Sequence, residues 1–127
     1  MSSRLLCVLF SLLAASAWGR SIQVSWARDE GSLERRQLIE RADVQLKEEL
    51  QRRGVTVLVR SGRDGVLLEP HLEVSATGLA LRLITVRASD RALLGVVTLR
   101  GTGPNREAIL RALVRRACDE ALLDVPR

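Results

Sequence analysis

The chain has 127 residues, with 20 Lys and Arg against 15 Asp and Glu for a net charge of +5; 46% of residues are hydrophobic and 28% charged. That balance fits one globular domain and excludes a disordered chain, a collagen-like chain and a two-domain enzyme. One His, one Phe and no Tyr leave the usual chemical tools nearly absent.

The chain opens with a single charge, Arg4, and an apolar run from Leu5 to Ala15. The run matches a secretory leader and falls short of the roughly 20 residues a membrane-spanning helix needs. Ala15-Ser16-Ala17 and Ala17-Trp18-Gly19 both fit small-x-small cleavage sites. The expectation is a cleavable signal peptide over 1–19 and a single domain over 20–127. Cys7 lies inside the apolar run, not directly after it, so it does not read as a lipidation site. No later stretch is long and apolar enough for a transmembrane anchor. Cleavage leaves one cysteine, Cys118, which cannot close an internal disulfide. All basic residues except Lys47 are Arg, which reads as GC-rich coding and points to a bacterial source and a periplasmic location.

Ser21–Trp26 alternates, with Ile22, Val24 and Trp26 on one side, and predicts a short strand. Ser32 can cap a helix to about Arg53, with Ile39, Ala42, Leu46 and Leu50 as its core stripe. Acid-first pairs Asp43–Lys47, Glu48–Arg52 and Glu49–Arg53 mark a solvated face, each worth about 0.2–0.5 kcal/mol. Gly54 suits the position just past the helix end. Strands are then expected at Val55–Arg60, His71–Ala76, Leu79–Ala88 and Leu93–Arg100. Turns fall at Thr77-Gly78 and Ser89-Asp90-Arg91, and the loop 61–65 lacks phosphate-loop spacing. Short connections favour antiparallel neighbours. Asn105 caps a last helix ending near Leu123, with Leu110, Leu113, Val114, Ala117 and Ala121 inward and Cys118 at the border as a small buried hydrophobe. The expected fold is a two-layer α+β sandwich: a mostly antiparallel sheet of four or five strands, two helices on one face, and the order β-α-β-β-β-β-α.

Strand parity separates two sheet faces. Val55, Val57, Val59, Leu72, Val74, Ala76, Leu79, Leu81, Leu83, Val97 and Leu99 form the core side. The other side mixes Thr56, Arg60, Glu73, Ser75, Thr77, Arg82, Thr98 and Arg100 with Leu58, Ile84, Val86 and Val96. Arg60, His71, Glu73, Arg82 and Arg100 are the candidate partner-facing residues on that side.

Catalysis has little to work with. A nucleophile–His–acid set would have to be built on His71, with Ser75 or Ser61. One His and one mature Cys do not make a metal site, and no cofactor motif is present. Nucleic-acid recognition on single strands wants aromatic platforms, and the mature chain offers only Trp26, joined by Trp18 if cleavage follows Ala17. A basic exported domain suits an envelope protein or an anionic envelope polymer as partner.

The segment Leu46-Lys47-Glu48-Glu49-Leu50-Gln51-Arg52-Arg53-Gly54-Val55-Thr56-Val57, a helix entering a strand through Gly-Val-x-Val, resembles the corresponding joint of small envelope proteins. The layout is similar to that of the lipopolysaccharide-assembly lipoprotein of the outer-membrane translocon. It is also similar to penicillin-binding-protein activator lipoproteins, curli-secretion subunits and the N-terminal domain of the Tol–Pal propeller protein. The resemblance covers most of 22–123 in element order. It implies a non-enzymatic binding and assembly module of the envelope. The alternative from the residues themselves is a small periplasmic hydrolase or ligand-binding protein around His71. Two departures stand out: the lipoprotein Cys is absent, and only Ser61–Pro70 occupies the place of an extra helix.

Overall fold

The computed structural model describes residues 21–26, 31–59 and 65–122. The signal peptide expected over 1–19, Arg60 and the loop expected over 61–64 lie outside them. The elements run β1 (Ser21–Val24), α1 (Leu33–Arg52), β2 (Thr56–Leu58), β3 (Val66–Val74), β4 (Gly78–Arg87), β5 (Leu93–Thr102) and α2 (Arg106–Ala121). The order matches the sequence reading.

Local signals place both helices. Ser32 accepts a hydrogen bond from the Arg35 amide at 3.3 Å, and Asn105 Oδ1 accepts from the Ala108 amide at 3.2 Å; each cap satisfies a donor the helix cannot. At the far end of α1, Gly54 takes φ 80°. Its amide donates to Gln51 O at 3.0 Å and the Val55 amide donates to Leu50 O at 2.9 Å. This paired closure needs a left-handed residue, which is why glycine stands there.

The sheet is mixed: mostly antiparallel, as expected, but not purely so. Strand order is β2-β1-β3-β4-β5. β1 sits between β2 and β3 and runs parallel to both, whereas β3–β4 and β4–β5 are antiparallel. The antiparallel expectation holds for the hairpins with short connections. It fails for β1, whose neighbours are reached through α1 and through the 59–65 connection.

Strand boundaries also differ. β3 begins at Val66 rather than His71 and carries Pro70 in mid-strand, opposite Leu83. Proline is tolerated because Leu68 O points toward β1, where it accepts from the Ser25 amide at 2.9 Å. Two residues on, Pro70 faces the same side, beyond the end of β1, so its missing N–H costs no ladder bond. β2 is only three residues long, and Val59, assigned to the core side by parity, is 92% exposed just past its end. Ala76 is likewise exposed in the β3–β4 turn.

Both helices cover one sheet face. The core joins Ile22, Leu68, Leu72, Leu81 and Leu83 of the sheet to Leu46 and Leu50 of α1 and Leu110, Val114 and Ala117 of α2. Leu38 is buried on α1, while Ile39, placed in the stripe, is only partly so. The α2 stripe is buried as expected, Cys118 included.

Polar locks fix the helices to each other and to the sheet. Glu49 is buried, which corrects the wholly solvated reading of its face. It accepts from Arg53 Nε at 3.1 Å and Nη2 at 3.0 Å. Arg53 also pairs with Asp119 and donates to Arg115 O at 3.2 Å, so it clamps α1 to α2. Arg52 pairs with Glu49 at 3.5 Å rather than with Glu48. Asp43 holds Lys47 at 2.9 Å as expected, and its other oxygen accepts from Trp26 Nε1 at 2.8 Å, tying the end of β1 to α1.

Two outcomes follow from this packing. A Cβ on Gly78 would lie 2.1 Å from the Gly101 carbonyl oxygen on β5, and backbone cannot give way cheaply. Gly78→Ala should lower stability by about 1–3 kcal/mol, read as a fall in the urea midpoint. Burial pushes the Cys118 thiol up to about 12, with Arg53 opposing. Above the ordinary thiol range the unfolded chain loses this proton while the folded one keeps it. Stability should therefore fall with pH between about 9 and 12, by up to about 1.4 kcal/mol per pH unit, and Cys118→Ala should flatten that slope. Alkylation of the native thiol at pH 8 should be far slower than of the unfolded chain.

Candidate functional site on the open sheet face

The sheet face away from the helices is the candidate site, and pairing register builds it row by row. Strand alternation sends odd residues of β3 and even residues of β4 to this side, and even residues of β5 up to the bulge opposite Thr85/Val86, beyond which Leu93 takes that side. One row is His71–Arg82–Thr98, and the next is Glu73–Ala80–Arg100. These six residues line a shallow hollow of about 230 Å³. On the other flank lie the rows Glu69–Ile84–Val96 and Leu67–Val86–Leu93, with Leu58 beside Gln23 farther across. The face is thus basic and polar at one end and aliphatic at the other.

Of the five sequence-predicted residues, the structure brings four into this hollow: His71, Glu73, Arg82 and Arg100. Arg60 lies outside the described residues. Ser75 and Thr77, assigned to this face, sit instead in the β3–β4 turn. Ser75 Oγ accepts from the Gly78 amide at 3.1 Å and donates to Gly78 O at 3.2 Å. The hydroxyl is committed to shaping the turn.

Arg82 and Arg100 are diagonal neighbours on adjacent strands, a spacing at which side chains interact and like charges repel. Among the described residues neither has an ion-pair partner, although Glu73 shares the hollow. The nearby Arg91 and Arg87 are matched: Arg91 holds Glu69 at 2.9 Å and Arg87 holds Asp90 at 3.3 Å. The two free guanidiniums offer forked donors suited to carboxylate or phosphate. Among the described residues no cluster of three or more His, Cys, Asp or Glu is arranged to hold a metal, and no helix is long and apolar enough to cross a membrane.

No family model matches the sequence, and no curated protein does. The fold, in contrast, is shared with solved structures. PelC from Paraburkholderia phytofirmans, solved as a dodecamer, superposes with a TM-score of 0.56 at 14% identity, over 85% of this chain and 88% of PelC. TolB from Acinetobacter baumannii superposes with a TM-score of 0.50 at 13% identity, over 85% of this chain but only 29% of TolB. The N-terminal domain of the Tol–Pal propeller protein is one of those whose layout the sequence resembles. The architecture is one that envelope-associated bacterial proteins share.

Because Arg82 and Arg100 support no partner within the fold, their loss should be nearly silent for stability. Arg82→Ala, Arg100→Ala and His71→Ala should each stay within about 0.5 kcal/mol of the parent, measured by chemical denaturation.

Proposed function

We propose that the chain is an exported, non-enzymatic binding and assembly module of the bacterial envelope, which docks an envelope protein on the open sheet face. The observation that carries this reading is the pairing of two unmatched arginines with an adjoining aliphatic surface on a face that no helix among the described residues covers. A carboxylate on the partner would answer Arg82 and Arg100, and the Ile84–Val96 region would receive its apolar side chains. The leader-like 1–19 segment supports export to the periplasm. The shared fold with PelC, itself a dodecamer, and with TolB supports an assembling role in the envelope. Catalysis has no part in the proposal. Among the described residues His71 has no nucleophile beside it, and Ser75 is engaged by its own turn.

The test is made in an exporting bacterial host. The protein should be recovered from the periplasm with its N-terminus at Trp18 or Arg20. A photo-crosslinking residue at Thr98 should give a discrete protein adduct that Arg82→Glu/Arg100→Glu abolishes, whereas one at Arg116 on α2 should not. Recovery from the cytosol with residues 1–19 attached would overturn the export half. Absence of any Thr98 adduct would overturn the docking half.

A further inference from the structure

We infer that the open sheet face receives the outer stripe of α1 from a second copy of this chain, in a head-to-tail contact. The inference rests on the docking face proposed above and names its occupant. Five large hydrophobic residues are exposed among those described: Leu33, Val44, Val59, Leu93 and Val96. Four of them fall on two surfaces. Leu93 and Val96, 63% and 46% exposed, are on the open sheet face. Leu33 and Val44, 65% and 55% exposed, are on one side of α1. Helical geometry aligns Leu33, Gln37, Glu40, Val44, Glu48 and Gln51 on that side, opposite the buried Leu38, Ala42 and Leu46.

Among the described residues the α1 stripe leaves two unmatched glutamates against one unmatched arginine, whereas the open sheet face leaves two unmatched arginines against one glutamate. The cations flanking the α1 stripe are neutralised within the fold: Arg41 by Glu107, Lys47 by Asp43 and Arg52 by Glu49. Glu40 and Glu48 have no ion-pair partner among the described residues, and of the cations near them Arg36 is also unmatched. Arg111 and Arg115 of α2 share a groove with Glu48 without pairing to it. The open sheet face presents Arg82 and Arg100, with Glu73 as the lone acid in their hollow.

Spacing agrees with charge. One helical turn separates Val44 from each glutamate, about 6 Å along the axis. Two strand residues separate Ile84 from Arg82, about 6.7 Å. With Val44 seated on Ile84 and Val96, a glutamate falls on the arginine pair. Symmetric alternatives are disfavoured by the same charges, since sheet face on sheet face sets arginines against arginines and stripe on stripe sets glutamates against glutamates. The two surfaces lie on opposite sides of the sandwich, so each copy keeps one free and the contact can repeat. Each sheet thereby gains a helix on its bare face.

Charge exchange tests this with folded protein, because all four residues are exposed. In low salt the purified protein should show a weight-average mass rising with concentration to at least about twice that of the protomer, and added salt should reduce it. Arg82→Glu/Arg100→Glu and Glu40→Arg/Glu48→Arg should each remain monomeric with unchanged circular dichroism. An equimolar mixture of the two should assemble again, since each then offers the other a complementary surface. Wild type that stays monomeric at sub-millimolar concentration, variants that assemble like wild type, or a mixture that stays monomeric would overturn the inference. If wild type is monomeric yet the Thr98 adduct to another protein persists, the second-copy assignment falls and the docking face stands.

Discussion

Leu46 and Leu50 of α1 and Leu110, Val114 and Ala117 of α2 meet Leu68, Leu72, Leu81 and Leu83 across a single apolar layer, and the rest of the molecule depends on that layer. Both helices are spent on one side of the sheet. With no disulfide among the described residues and Cys118 buried as a thiol, this layer is the main source of stability for a small domain. Its one-sidedness leaves five strands with a second face that must be wet or covered by something else. The locks around Glu49, Arg53 and Asp119, and around Asp43, Lys47 and Trp26, fix how the helices sit on the layer. They also use up most of the charge on the inner flanks of α1, and that is what leaves its outer stripe with a net sign.

The sequence made local features legible and hid those decided at a distance. Ser32, Gly54 and Asn105 announced helix ends because caps are chemistry within a few residues. The α2 stripe was readable because its periodicity is uninterrupted. Pro70 misled: it reads as a breaker, and only the short reach of β1 shows why a strand can carry it. The parallel seat of β1 was invisible, since nothing in Ser21–Val24 states which strands flank it. Glu49 looked like a surface residue in an i,i+4 pair, and its burial follows from Arg53 turning toward Asp119 on another element.

The candidate site divides in the same way. Strand parity alone brought His71, Glu73, Arg82 and Arg100 to one side, because alternation fixes facing without knowledge of the partner strand. The register that places Arg82 diagonal to Arg100, and the committed hydrogen bonds of Ser75, needed the fold. So did the acidic character of the α1 stripe. The sequence shows Arg41, Lys47 and Arg52 among Glu40 and Glu48, and only tertiary pairing reveals which of these charges cancel.

The position of β1 carries a consequence for biogenesis. It is the earliest strand in the chain, yet its slot is the gap between β2 and β3, and it pairs with residues near 57 and near 66. During synthesis it has nowhere to go until both flanking strands have emerged. Ile22, wholly enclosed in the finished domain, stays uncovered until then. Closing the sheet waits on sequence-distant pairing, the slow kind.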